Sequence, residues 1–283
     1  MGLSEKILVT GSNGQLGTEL KPLLPQAVFV DVDKLDITNE TAVNDFVKQN
    51  GIETIINCAA YTAVDKAEDE ESKAYQINAA GPANLAKTGC NLIHISTDYV
   101  FNGKGYKPYT TQDATDPVSA YGRTKLEGEK AVLKYSKKAI IIRTAWLYSS
   151  HGSNFVLTMR KLGASRAEIN VVSDQIGSPT FAGDLAEAIV QIVDQMKEDT
   201  NWEQKSGIYH FTNEGVCSWY DFAHEIMELS GYSCKVNPIP TSEYPTKAAR
   251  PHYSVLDKGS IRETFNVRTP YWRESLKKCL NQF

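Results

Sequence analysis

The feature that most constrains this chain is a glycine run set at the end of a short apolar segment. Lys6–Thr10 reads KILVT and leads into Gly11-Ser12-Asn13-Gly14-Gln15-Leu16-Gly17, so glycines recur every third residue. In a strand–turn–helix unit each has its own task. The first lets the chain turn sharply, the second removes a Cβ where a pyrophosphate must approach the backbone, and the third lets the new helix pack closely on the sheet. The start of that helix offers free N–H groups and a partial positive charge to phosphates. Asp31 falls twenty residues after Gly11, where a carboxylate can accept a hydrogen bond from a ribose hydroxyl. A glycine triplet alone is weak, but the strand before it, the helix after it and the acid at this distance supply the context that the motif requires.

The rest of the first half repeats the rhythm. Val28–Val32, Thr54–Asn57, Leu92–Ser96 and Ala139–Arg143 read as buried strands, with amphipathic stretches such as Glu40–Asn50 and Ser72–Lys87 between them. Buried strands separated by helices predict an α/β fold, a doubly wound parallel sheet of the Rossmann kind. Beyond about Tyr148 the segments shorten and proline and glycine punctuate them, with helices expected over Phe181–Lys197 and Ser218–Leu229. The expected division is a dinucleotide-binding Rossmann domain over residues 1–150 and a smaller C-terminal substrate lobe over 151–283, partly interwoven with the first.

A second constellation carries chemistry. In Tyr121-Gly122-Arg123-Thr124-Lys125 the Tyr and Lys lie four apart, on one face of a helix. A free phenol titrates near 10. An ammonium nearby favours the phenolate, so the phenol is expected to titrate lower and to exchange a proton with a carbonyl or alcohol. Thr97 stands twenty-four residues earlier, at the end of the expected fourth strand, where parallel sheets place their ligands. Its hydroxyl can hydrogen-bond the reacting oxygen.

Taken in order, the glycine loop, Asn57-Cys58-Ala59-Ala60, Ser96-Thr97-Asp98-Tyr99-Val100-Phe101 and Tyr121-x-x-x-Lys125 resemble the extended short-chain dehydrogenase/reductases. Further segments are similar to the dTDP-4-dehydrorhamnose reductase family: Cys58-Ala59-Ala60-Tyr61-Thr62-Ala63-Val64-Asp65-Lys66-Ala67-Glu68, Arg143-Thr144-Ala145-Trp146-Leu147-Tyr148, Asn154-Phe155, Asp174-Gln175-Ile176-Gly177-Ser178-Pro179-Thr180 and Ala249-Arg250-Pro251. The similarity spans about Lys6 to Arg273.

The resemblance implies reduction of the C4 ketone of a dTDP-linked 4-keto-6-deoxyhexose by NADH or NADPH, with Thr97, Tyr121 and Lys125 as the catalytic trio. It implies a cofactor held by Gly11, Asn13, Gly14, Gln15, Leu16, Gly17, Asp31, Asp36, Ile37, Ala59, Ala60, Tyr61, Tyr121 and Lys125. Val64, Thr97, Asp98, Tyr99 and Trp146 would meet the sugar, and Asn154 and Arg250 the nucleotide diphosphate. Asp31 leans the cofactor preference towards NADH by repelling a 2′-phosphate, although Lys34 stands close enough to compensate. Some members dimerise through a magnesium site built from glutamates. Glu19 matches one such position, but Gly183 falls where another glutamate would, so no metal site is expected, and a homodimer stays open. Two other readings compete. A sugar-nucleotide epimerase or dehydratase shares the scaffold, but Asp98-Tyr99 after Thr97 replaces the Asp-Glu pair expected of a dehydratase. A non-catalytic subunit, like the family that regulates methionine adenosyltransferase, has no need of the complete Thr97, Tyr121 and Lys125 set.

Composition narrows the setting. In 283 residues a net charge of -4 shows no basic excess, which argues against nucleic acid as a partner. No apolar run approaches a membrane span, and Met1–Thr10 runs into a strand without a signal-peptide pattern. Five scattered cysteines, Cys58, Cys90, Cys217, Cys234 and Cys279, read as reduced thiols of a cytoplasmic protein.

Overall fold

The computed structural model describes residues 6–198 and 201–283, so residues 1–5 of the expected leader-free start lie outside the described residues. Six parallel strands form the central sheet: β1 Ile7–Thr10, β2 Val28–Val30, β3 Thr54–Asn57, β4 Asn91–Thr97, β5 Ala139–Thr144 and β6 Gly207–His210, in the order β6-β5-β4-β3-β1-β2. The step from β2 back past β1 to β3 reverses the winding, and the crevice at the carboxyl ends between β1 and β3 is where such sheets bind ligands.

Successive residues of a strand point to opposite faces, and this period divides the core. Val9, Ile56, Ile93 and Ile142 pack with Leu16, Leu185, Ile189 and Phe265 of the helices Gln15–Leu20, Ala182–Glu198 and Gly259–Phe265. Their neighbours Leu8, Ile55, Leu92 and Ile141 pack on the other face with Val43, Val47, Leu85 and Val132. Both faces are thus apolar, and each fully buried Leu or Ile contributes about 1.5–3 kcal/mol.

Two expectations need correction. The second strand stops at Val30, not Val32, because the Lys34 N–H turns back to the Asp31 carbonyl (2.9 Å). The stretch expected as one helix over Ser72–Lys87 is two α-helical pieces, Glu71–Tyr75 and Gly81–Lys87, joined by a π-helical turn, Gln76–Ala80. The sixth strand, Gly207–His210, comes from the C-terminal half and pairs with β5 from Ile140 to Arg143.

The remaining C-terminal elements form a second cluster. A parallel ladder of Glu168–Val172 with Lys235–Ile239 packs with helices Phe155–Gly163, Trp219–Ser230 and Trp272–Leu280 around Val156, Phe222, Ile226 and Leu276. Ser218 and Asp221 close a capping box on the helix that sequence patterning places over Ser218–Leu229. The five cysteines are all unbonded to one another. Among the described residues no helix is long and apolar enough to cross a membrane.

Candidate active site

The glycine loop shows which of its glycines the protein itself demands. Gly11 has φ +65°, and a Cβ there would lie 2.5 Å from the Ala59 nitrogen; a Cβ on Gly17 would lie 2.5 Å from the Gly11 carbonyl oxygen. Gly14 differs. Its φ is an ordinary -74°, and a Cβ would meet only the Gly11 carbonyl oxygen, at 3.3 Å. Packing therefore dictates Gly11 and Gly17, whereas a Cβ on Gly14 meets one close contact only and leaves the fold less reason to require a glycine there. A Gly14→Val protein is expected to fold normally and to bind reduced nicotinamide dinucleotide at least tenfold more weakly, an order-of-magnitude expectation for losing close backbone approach. Fluorescence titration measures this, and unchanged affinity would remove the loop from the cofactor site.

The loop is fastened from beneath. Both Asp31 carboxylate oxygens accept backbone N–H groups, from Asn13 (2.9 Å) and Val32 (2.8 Å). Asn57, at the end of β3, accepts from the Thr10 hydroxyl (2.7 Å) and the Ala59 N–H (3.1 Å), and its amide meets buried His94 Nδ1 at 3.0 Å. The Ala59–Tyr61 segment is held by Asn78, whose side chain accepts from the Tyr61 N–H (2.8 Å) and donates to the Tyr61 carbonyl and the Thr124 hydroxyl. Asn78 thus joins the segment after β3 to the helix carrying Tyr121. Its place in the π turn hid it from a pattern search for an ordinary amphipathic helix. Asp36 and Ile37 follow the second strand. Asp36 accepts from Thr38 within its own turn, and the Ile37 side chain is core.

Helix Ala120–Tyr135 starts at Ser119, whose hydroxyl accepts from the Gly122 N–H (3.1 Å). A Cβ on Gly122 would lie 2.2 Å from the Tyr99 carbonyl, so a glycine here brings the helix against the turn that follows Thr97. Tyr121, Lys125 and Glu129 recur every four residues on its buried face. Thr97, the last residue of β4, lies near enough to Tyr121 for its hydroxyl to act on the phenol's titration. Burial pushes the Tyr121 phenol well above its ordinary value, and the Thr97 hydroxyl opposes this only in part. The lowering expected from Lys125 is absent: that ammonium donates to the Ile95 carbonyl at 2.6 Å. Burial brings Lys125 itself down to about 8, with Glu129 opposing. Tyr121 is therefore a neutral phenol at neutral pH, poised to give a proton. Cys58, beside Lys125, is pushed up to about 12 by burial and is not a thiolate.

Below the trio lies a network the motif search did not reach. Arg143 on β5 makes a two-pronged bond to Glu129 (2.8 and 2.6 Å), and the Ser96 hydroxyl donates to the same carboxylate. Both charged side chains are almost wholly buried, at 2% and 1% exposure. The register that sets Ser96 opposite Arg143 joins β4, β5 and the catalytic helix at one point.

A cavity of about 770 Å³ opens beside Tyr99 and runs between the sheet and the C-terminal cluster. Asp98, Tyr99, Trp146 and Arg250 line it. Tyr99 meets Tyr121 edge-on at 5.4 Å. Val64 and Tyr99 both pack against the small cluster that contains Tyr121. Asp98 is buried, its Oδ2 has no protein partner, and burial raises it to about 7. Trp146 adopts φ +50°, a costly conformation for a bulky residue. It is held there by the Thr180 N–H on its carbonyl (3.1 Å) and by stacking on Trp219 with ring centres 3.6 Å apart. Trp219, absent from the expected site, lines the cavity too. Asn154 is not brought to it. Its Oδ1 caps helix Phe155–Gly163 through the Leu157 N–H, and its amide donates to Gln15 Oε1 (2.9 Å).

A dinucleotide cradle after the first strand, with Thr, Tyr and Lys gathered after the fourth beside a cavity between two lobes, is the arrangement of the extended short-chain dehydrogenase/reductases. Within that class the likeness is narrow: the model of the RmlD substrate binding domain family matches residues 5–283, and the chain belongs to that family. A dTDP-4-dehydrorhamnose reductase from Clostridium acetobutylicum is 46% identical, with TM-score 0.92, over 98% of this chain and 99% of its own. One from Bacillus anthracis, solved in complex with NADP, is 38% identical, with TM-score 0.92, over 99% of this chain and 100% of its own. The spore coat polysaccharide biosynthesis protein SpsK of Bacillus subtilis is 42% identical over 98% of this chain and 97% of that protein.

Proposed function

We propose that this chain reduces the C4 ketone of dTDP-4-dehydro-L-rhamnose to give dTDP-L-rhamnose. The observation that carries the reading is the neutral, buried Tyr121, edge-on to Tyr99 beside the cavity that Tyr99, Trp146 and Arg250 line. Bound NADH or NADPH supplies the hydride.

The protein's own groups do the rest. Thr97 and Tyr121 hold the ketone oxygen by hydrogen bonds. As that oxygen gains charge, the Tyr121 phenol gives it a proton, so ketone, hydride and proton balance as the alcohol. Lys125, anchored to the Ile95 carbonyl, is placed to steady the ribose next to the phenol. Gly11, Gly14 and Gly17 cradle the pyrophosphate, and the Asn13–Asp31 bond keeps the loop in shape for it. Trp146, Val64 and Tyr99 wall the sugar, and the Arg250 fork suits a diphosphate.

The test is oxidation of NADPH, and separately of NADH, followed at 340 nm with dTDP-4-dehydro-L-rhamnose. Stoichiometric oxidation with formation of dTDP-L-rhamnose is expected. Conversion of the sugar without net oxidation of the cofactor would make the chain an epimerase. No conversion with either cofactor would make it a binding subunit.

A further inference from the structure

Residues 240–251 form a strap along one side of the cavity. At one end the Thr241 N–H and hydroxyl donate to the Asp174 carboxylate (2.9 and 2.6 Å). At the other, Lys247 pairs with Asp69, and Asp65 takes two bonds: the Ala248 N–H donates to its Oδ1 (3.0 Å) and Arg250 Nη2 to its Oδ2 (2.6 Å). One carboxylate, on the short helix Val64–Ala67 that follows β3, thus holds the strap backbone and the Arg250 guanidinium together.

The other prong of Arg250 is differently placed. Its Nη1 is buried and has no partner in the protein, while the residue lines the cavity. The same side chain faces the Tyr99 hydroxyl, drawing it down against the larger effect of burial, which pushes it up to about 12. A guanidinium is planar and rigid, so fixing one edge fixes where the other points. The Asp65–Arg250 pair is partly exposed, at 46% and 21%, and such pairs add at most about 1 kcal/mol to stability. Orientation is the larger consequence.

We propose that Asp65 is a positioning residue for the anionic part of the substrate: by holding Nη2 it aims the free Nη1 edge of Arg250 at a nucleoside diphosphate in the cavity. This rests on the reading that the substrate is a dTDP-sugar. It also makes a prediction opposite in sign to simple electrostatics. Removing a negative charge near an anion site strengthens anion binding by Coulomb's law, whereas loss of an aimed, charge-assisted hydrogen bond weakens it.

The experiment is calorimetric titration of dTDP, thymidine and NADPH into the wild-type and Asp65→Asn proteins. Asp65→Asn is expected to weaken dTDP about tenfold, the equivalent of one charge-assisted hydrogen bond, and to leave thymidine and NADPH unchanged. In turnover the same variant should raise KM for the nucleotide-sugar with little change in kcat. Tighter or unchanged dTDP binding overturns the proposal, and so does an equal loss for thymidine, which carries no phosphate. Failure of the wild-type protein to bind dTDP overturns the substrate reading and this inference with it; wild-type binding with an unaffected variant overturns the inference alone.

Discussion

Tyr121→Phe is expected to lower kcat by about 10²–10⁴-fold, the range that a positioned general acid supplies, with cofactor affinity nearly unchanged. The ring is buried against Tyr99, and phenylalanine retains that contact. What is lost is the proton. Burial keeps the phenol protonated, so the wild-type enzyme always presents an acid at neutral pH. Thr97 cannot substitute, because a threonine hydroxyl is a far weaker acid than a phenol, which titrates near 10. Two companion variants make the pattern diagnostic. Thr97→Val removes one hydrogen bond to the reacting oxygen and should fall between wild type and Tyr121→Phe. Lys125→Met should lose turnover and weaken the cofactor together, since that side chain serves both. Steady-state kinetics with the ketosugar nucleotide, paired with NADPH titration, separates the three. Near-wild-type turnover in Tyr121→Phe would end the assignment of the trio.

Glu129→Ala is expected to destabilise the protein by about 3–5 kcal/mol, because it strands a buried guanidinium without its counter-charge. Arg143 already leaves Nη1 without a partner and lies over the Phe101 ring at 5.0 Å, where water does not reach it. The same cut removes the acceptor of the Ser96 hydroxyl. Glu71→Ala is the control. Glu71 also makes a two-pronged bond to an arginine, Arg123, at 3.0 Å for each prong, but both partners are about half exposed. That loss should stay below about 1 kcal/mol. Urea unfolding midpoints compare the two directly. Equal losses would show that the Arg143 pair is solvated, and that the joint between β4, β5 and the catalytic helix is held by apolar packing alone.

Much of the molecule was legible from local pattern. The glycine spacing, the apolar strands and the four-residue step from Tyr121 to Lys125 are set by the chain within a few residues of one another, and local sterics and side-chain period decide them. The family likeness extended this reading to the reaction and the kind of substrate. The fold itself, a parallel sheet with helices on both faces, followed from alternation of strand and helix, and the strands were placed to within two residues wherever the apolar run was unbroken.

What the chain order could not convey was decided by contacts between distant residues. Asn154 carries the right chemistry for a phosphate contact, yet its side chain is taken by the Leu157 N–H and by Gln15, 139 positions earlier in the chain. Lys125 lies one helical turn from Tyr121, yet the Ile95 carbonyl, thirty residues away, claims its ammonium. The Glu129–Arg143–Ser96 joint exists only because β4 and β5 pair in one register. The last strand of the sheet comes from Gly207–His210, far beyond the expected domain boundary. Sequence by itself determined the glycine-loop turn, most strand and helix spans and the residue types available at each strand end, since those depend on near neighbours; the π turn at Gln76–Ala80 and the positive φ of Trp146 did not follow from it. Tertiary structure alone decided which polar groups met, because each buried donor or acceptor must be satisfied by whatever partner the fold brings within 3 Å.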